Sequence, residues 1–175
     1  MPFLIGLIGL VIAAYFWAQR ARNAALVANE LADMAGDVLS AARRFGFRRK
    51  ASIHPVDAVE DVRLAIAGAG IAFLEIGALP SKEQHRALMQ SLARTFAMPE
   101  AEAEEALILG RWLSHESGGG AQAFTRLLKR VHRLKGAEGF DPLMAVLRDA
   151  GLAAGSLSGL QKDALTEVLG QFRLR

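Results

Sequence analysis

Apolar positions follow two different patterns along the chain. From Met1 to Ala18 (MPFLIGLIGLVIAAYFWA) they are nearly continuous and no charge interrupts them. Beyond Arg20 they recur at spacings of three and four, with charged and polar residues between, which is the period of a helix with one buried side. No stretch alternates with period two, and Val and Ile are sparse outside the helical patterns, so no strand is expected. The predicted fold class is all-α: a single N-terminal transmembrane helix and a compact bundle of about six helices.

At ~1.5 Å per residue the first run is about 27 Å long, near the thickness of a hydrocarbon core. Tyr15 and Trp17 stand at its end, where amphipathic rings favour the interface, and Arg20 and Arg22 follow at once. No Lys or Arg precedes it. Residues 1–19 are therefore expected to be a retained anchor, with the N-terminus outside and the remainder in the cytoplasm, in an inner membrane of bacterial type. A cleaved signal peptide would begin with a basic region, which is absent here. Gly9 and Ala13 form a small-xxx-small pair, ordinary in transmembrane helices.

Residues 20–54 are expected to form a helical stalk and basic linker. Ala24, Val27, Leu31, Met34, Val38, Ala41 and Phe45 make an apolar stripe without an intervening Pro. The stripe suits three partners: the chain's own domain, a second copy in a homo-oligomer, or the membrane surface. Arg43 to Lys50 (RRFGFRRK) places Arg43, Arg44, Arg48, Arg49 and Lys50 around Phe45 and Phe47. Anionic lipid headgroups are one candidate contact for this cluster, and a solvated, topology-setting linker is the plainer one.

Residues 55–175 are expected to form the helical domain. A first helix, from about Pro55 to Ile76, carries Val59, Val62, Ile66, Ala69, Phe73 and Ile76 on one face, with Gly77 as its C-terminal cap. A second starts after Pro80, where Ser81 and Gln84 match a capping box, and buries Leu88, Leu92 and Phe96. A third begins at Pro99 with Glu100, Glu102, Glu104 and Glu105 in its first turns, where the helix dipole favours negative charge, and buries Ala106, Leu109 and Leu113 beside Trp112. Gly118-Gly119-Gly120 is expected to end it as a flexible loop. A fourth, Ala121 to Lys135, sets Leu127, Val131 and Leu134 against a basic face of Arg126, Lys129, Arg130 and Arg133. A fifth starts at Asp141 or Pro142 with Leu143, Val146 and Leu147, and a last runs from about Ser158 to Phe172 with Leu165 and Leu169.

Charge and composition narrow the chemistry. The net charge of +3 over 175 residues does not by itself point to nucleic acid. The basic face of the fourth helix, continued by Lys135, is either a plain solvated face or a contact for acidic lipid or an acidic protein; nucleic acid is the least favoured partner, because few exposed aromatics accompany the charge. There is no cysteine, which excludes disulfides, thiolate metal sites and cysteine nucleophiles. His54, His85, His115 and His132 show no i, i+4 pairing, and each is expected at a surface or boundary. The triple glycine lacks the Gly-Lys-Ser/Thr of a phosphate loop, and Gly68 and Gly70 (AGAGIAF) lack the strand and third glycine of a dinucleotide fingerprint. Close helix–helix packing explains them better. No catalytic, cofactor or metal residue is assigned, and the chain is not expected to be an enzyme.

Two segments resemble each other. Ile76-Gly77-Ala78-Leu79-Pro80-Ser81-Lys82-Glu83 parallels Ala154-Gly155-Ser156-Leu157-Ser158-Gly159-Leu160-Gln161. After a one-residue shift, Ala87, Leu88, Leu92 and Phe96 parallel Ala164, Leu165, Leu169 and Phe172. This pattern predicts a duplicated helix-turn-helix unit. With these turns, residues 57–174 resemble the TerB-like family, which includes tellurite-resistance proteins and the N-terminal region of membrane-anchored J-domain co-chaperones. That family builds a compact helical fold on turns of the form Asp-Gly-x-(Ile/Val/Leu)-Ser-x-x-Glu. Gly77, Leu79 and Glu83 match the first turn; Gly155, Leu157 and Ser158 match the second, with Gln161 at the Glu position.

The departures matter as much. The turn Asp is replaced by Ile76 and Ala154, which supply no oxygen to a divalent cation, so metal binding does not carry over. His54-Pro55-Val56 is not a His-Pro-Asp turn, so the J-domain is missing too. The function expected is a non-catalytic, membrane-tethered interaction module that recruits or stabilises membrane or cytoplasmic proteins. The alternatives are an accessory subunit of a larger inner-membrane complex and a divalent-metal-responsive stress protein.

Overall fold

The computed structural model describes residues 36–50, 52–76, 78–153 and 155–173. The chain divides into two units, Met1–Asp37 and Val38–Arg175, and the second holds the helical bundle. The expected anchor, the stalk stripe from Ala24 to Met34, and the turn residues Gly77 and Ala154 lie outside the described residues. Among the described residues every regular element is helical, and no helix is long and apolar enough to cross a membrane.

The centre of the unit is a helix that, from Leu64 onward, is apolar on all sides. Residues 38–44 are helical (α1). Then come α2 (Val62–Leu74), α3 (Lys82–Phe96), α4 (Glu100–Glu116), α5 (Gly120–Lys135), α6 (Phe140–Leu152) and α7 (Gly159–Arg173). Every residue of α2 from Leu64 to Leu74 is buried, because α3, α4, α5, α6 and α7 all pack against it. A helix without a polar face belongs inside a protein. At about 20 Å it is also well short of a bilayer core.

This corrects two expectations about the first helix. Pro55 opens a short 3-10 turn, Pro55–Ala58, and the chain is extended at Val59 and Asp61 before α2 begins. Asp61 sets the true start: its carboxylate accepts the Arg63 N–H at 2.8 Å. The expected single buried face is replaced by burial all round, with Val62 only partly covered.

The glycines of α2 explain how so many helices approach it. A methyl built on Gly110 would lie 2.9 Å from the Gly68 nitrogen, 3.0 Å from its Cα and 3.1 Å from the Ala67 carbonyl carbon. Thus α2 and α4 touch backbone to backbone. A methyl on Gly70 would stand 2.5 Å from Leu88 Cδ1 of α3. Close packing, rather than nucleotide binding, accounts for the AGAG stretch.

Connections between helices are short and hydrogen-bonded. At the start of α3 the capping box is complete: Ser81 Oγ accepts the Gln84 N–H at 3.1 Å, and Gln84 Oε1 accepts the Ser81 N–H at 3.0 Å. The same box opens α7, with Ser158 and Gln161 at 3.2 and 3.0 Å. Gln161 is buried, and its amide nitrogen also donates to the Phe73 carbonyl at the end of α2, 3.4 Å away. The flexible loop expected at Gly118-Gly119-Gly120 is a tight turn. Gly118 and Gly119 donate back to His115 and Ser114, all three glycines have positive φ, and α5 starts at Gly120 itself.

Two glycine substitutions test this packing by opposite signs. Gly110→Ala is expected to lower the urea midpoint by the equivalent of about 1–3 kcal/mol or more, since backbone rather than a side-chain end stands in the way. Gly170→Ala, where no atom lies within 4 Å of the added methyl, is expected to raise stability by roughly 0.5–1 kcal/mol.

Candidate functional site

Three surfaces carry the residues that sequence reasoning singled out. The first is the basic segment before the 3-10 turn. Phe45 and Phe47 are buried, and Phe47 meets Trp112 of α4 edge to face with ring centroids 5.7 Å apart. Arg44 Nε lies 2.6 Å from Glu105 Oε2, a buried oxygen whose charge is met by this ion pair and by no aligned hydrogen bond. Arg49 sits over the Trp112 ring at 5.6 Å and reaches Glu116 at 3.5 Å. The segment is thus strapped along α4. Arg43, Arg48 and Lys50 are exposed on it and form no ion pair among the described residues.

The strap leads into a partly buried charge junction. Arg63 binds Asp61 through Nε and Nη2, reaches Glu102 Oε1 through Nη1 at 2.7 Å, and lies over Phe45 at 5.3 Å. Its hydrogen bond to Asp61 and the two carboxylate charges raise its pKa against the effect of burial. The start of α2, the first turn of α4 and the strap therefore share one guanidinium.

The second surface is the basic face of α5, and it is largely engaged. Asp57 of the 3-10 turn takes Arg133 at 3.0 Å and Arg126 at 3.6 Å. Arg130 Nε donates to the Val59 carbonyl at 2.6 Å; partial burial and the neighbouring Arg133 lower its pKa. Lys129 is exposed. Much of this face serves to hold the Pro55–Ala58 turn against α5.

The third surface is the pair of turns. Leu79 is 94% exposed, whereas Leu157 packs against the core beside Gly151. Gly155 has a φ of 93°, in the left-handed region. Glu83 is exposed in the first turn of α3; its own backbone N–H and the Ser81 hydroxyl hold its carboxyl below the ordinary value.

Residues not foreseen as a group converge beside the first turn. Glu75, at the end of α2, accepts the hydroxyl of the buried Ser114 of α4 at 2.7 Å. Next to it opens a cleft of about 580 Å³ with Ile71, Leu79 and Pro80 among its walls and Lys82, His85 and Arg111 at its edge. Arg111 Nη2 lies 3.4 Å from His85 Nδ1. Burial lowers the His85 pKa, Arg111 lowers it further, and Glu104 acts the other way. The only hint in the sequence was the helical spacing that puts Lys82 and His85 on one side of α3; the partners from α2 and α4 are too distant in the chain to be foreseen.

The remaining histidines have local roles. His54 Nδ1 accepts the Val56 N–H at 3.3 Å and caps the 3-10 turn. His132 packs edge to face on Phe172, with centroids 5.1 Å apart, and His115 is exposed in the last turn of α4. Among the described residues no group of three or more His, Asp or Glu side chains is placed to hold a metal ion.

No family model, curated protein or solved structure matches the chain. Its chemistry therefore rests on these residues alone.

The strap has a spectroscopic signature. With Trp17 replaced by Phe, Trp112 is the remaining tryptophan of the two in the chain. Phe47→Ala is expected to shift its emission to longer wavelength and to cost about 3 kcal/mol in a denaturant titration. Arg49→Ala, which removes an exposed cation, is expected to change stability by less than about 1 kcal/mol.

Proposed function

We propose that the chain is a non-catalytic, membrane-tethered helical module that recruits or stabilises partner proteins at an inner membrane of bacterial type. The observation that carries this reading is the charge-free run Met1–Ala18 followed at once by Arg20 and Arg22. The helical unit beginning at Val38 supports it. So does the strap, since Phe45 and Phe47 enter the core only a few residues into that unit. Arg43, Arg48 and Lys50, exposed on the strap, suit an anionic leaflet. In this reading the TerB-like resemblance of the turns concerns the form of the module, with Ile76 and Ala154 standing where that family's acidic residues would be.

Topology is testable because the chain has no cysteine. Single cysteines at Pro2→Cys and Lys129→Cys are expected to label differently with an impermeant maleimide in intact cells. The first should react from outside, and the second only after the membrane is opened. Labelling of Lys129→Cys in intact cells would sink the proposed orientation.

The module itself is tested by purifying tagged full-length protein from native membranes in mild detergent. A stoichiometric membrane protein in the eluate is expected, and loss of that protein on deletion of this chain would make it an accessory subunit. A solitary protein whose melting temperature rises with calcium would instead favour a metal-responsive role.

A further inference from the structure

The cleft beside the first turn combines an apolar wall with cationic groups that the fold does not use. Arg111 and Lys82 pair with no carboxylate among the described residues. Among the described residues the partner of the Arg111 guanidinium is the His85 ring, 3.4 Å away. Leu79 leaves 94% of its surface in water at the same opening. The carboxylate that also lines the cleft, Glu75, already accepts the Ser114 hydroxyl.

We propose that this cleft binds a small organic anion, its carboxylate held by Arg111, Lys82 and the His85 ring and its apolar body against Ile71, Leu79 and Pro80. A planar guanidinium with free N–H groups is suited to a carboxylate, which it can take through two parallel hydrogen bonds. The volume of about 580 Å³ is that of a small-molecule site rather than of a protein interface. The inference does not depend on how the module is tethered or on its protein partners; it gives the module a ligand to respond to.

Proton uptake accompanies such binding. The charged groups around His85 are Lys82 on α3, Arg111 and Glu104 on α4, and Glu75 at the end of α2. In the free protein, burial and Arg111 hold the ring toward its neutral form. An anion beside Arg111 offsets that positive charge and favours the protonated ring, which then becomes a second donor. The anion therefore binds more tightly as pH falls through the imidazole range.

The test uses full-length protein in nanodiscs of neutral phospholipid, with benzoate as the probe. The His85 ring resonance, assigned by its loss in His85→Gln, is followed as benzoate is added. A saturable shift is expected, tighter near about pH 5.5 than near about pH 7.5. Affinity is expected to fall about tenfold or more in Arg111→Gln, the scale of one charge-assisted bond. Leu79→Asp alters a side chain that the core does not use, and is expected to weaken binding while leaving the melting temperature unchanged. A shift that never saturates, or one that Arg111→Gln leaves intact, overturns the proposal. Equal response to neutral benzamide removes the anion from it, and equal response to inorganic phosphate removes the apolar wall; either also overturns it.

Discussion

The contact between Gly68 and Gly110 is the constraint around which the helical unit is arranged. Two helices meet there with no side chain between them, and a single methyl on Gly110 would stand within 3.1 Å of three backbone atoms. That approach leaves the rest of the α2 surface within reach of the other helices. Leu88 of α3 closes over Gly70, Leu127 of α5 over Gly68, and Phe73 meets Phe124 of α5 at 5.9 Å. Because α2 lacks a polar side, its burial from Leu64 to Leu74 needs all these neighbours together. Small residues are thus not gaps in this core but the condition for its density.

Polar groups are distributed so as to tie chain ends to this centre. Arg63 joins the start of α2 to α4 and to the strap. Ser114 and Glu75 join α4 to the end of α2, and Gln161 joins the cap of α7 to the Phe73 carbonyl. Asp149 of α6 takes both Ser91 and Arg94 of α3, at 2.7 and 2.6 Å. The pairs in the most exposed positions, such as Arg94 with Asp149, contribute little energy by themselves. Their role is directional: they fix which helix end meets which.

Local chemistry made the helix starts legible in the sequence, and tertiary contacts made the rest hard to foresee. Ser81 with Gln84, Pro99 with its following glutamates, and Ser158 all announce helices that the structure contains, because a cap needs only neighbours in the chain. Pro55 misled because proline suits the first turn of a 3-10 segment as well as that of an α-helix; the decisive cap, Asp61, lies inside the stretch read as one continuous helix. The one-sided pattern read for α2 overlooked that its alanines and glycines are buried as fully as its larger residues. The basic runs looked like free charge, yet Arg44 reaches Glu105 and Asp57 gathers Arg126 and Arg133, across separations that no local pattern encodes. The cleft was invisible for the same reason, since its walls come from α2, the turn, α3 and α4.

The order of helices along the chain has a consequence during synthesis. The central helix α2 is translated before every helix that packs against it from α3 onward. Between Leu74 and Lys135, at typical elongation rates, roughly 3–12 s pass in which an apolar segment has left the ribosome without α5 to cover it. Gln161 cannot reach the Phe73 carbonyl until later still. The nascent chain therefore exposes the future centre of its core before the helices that bury it have been made.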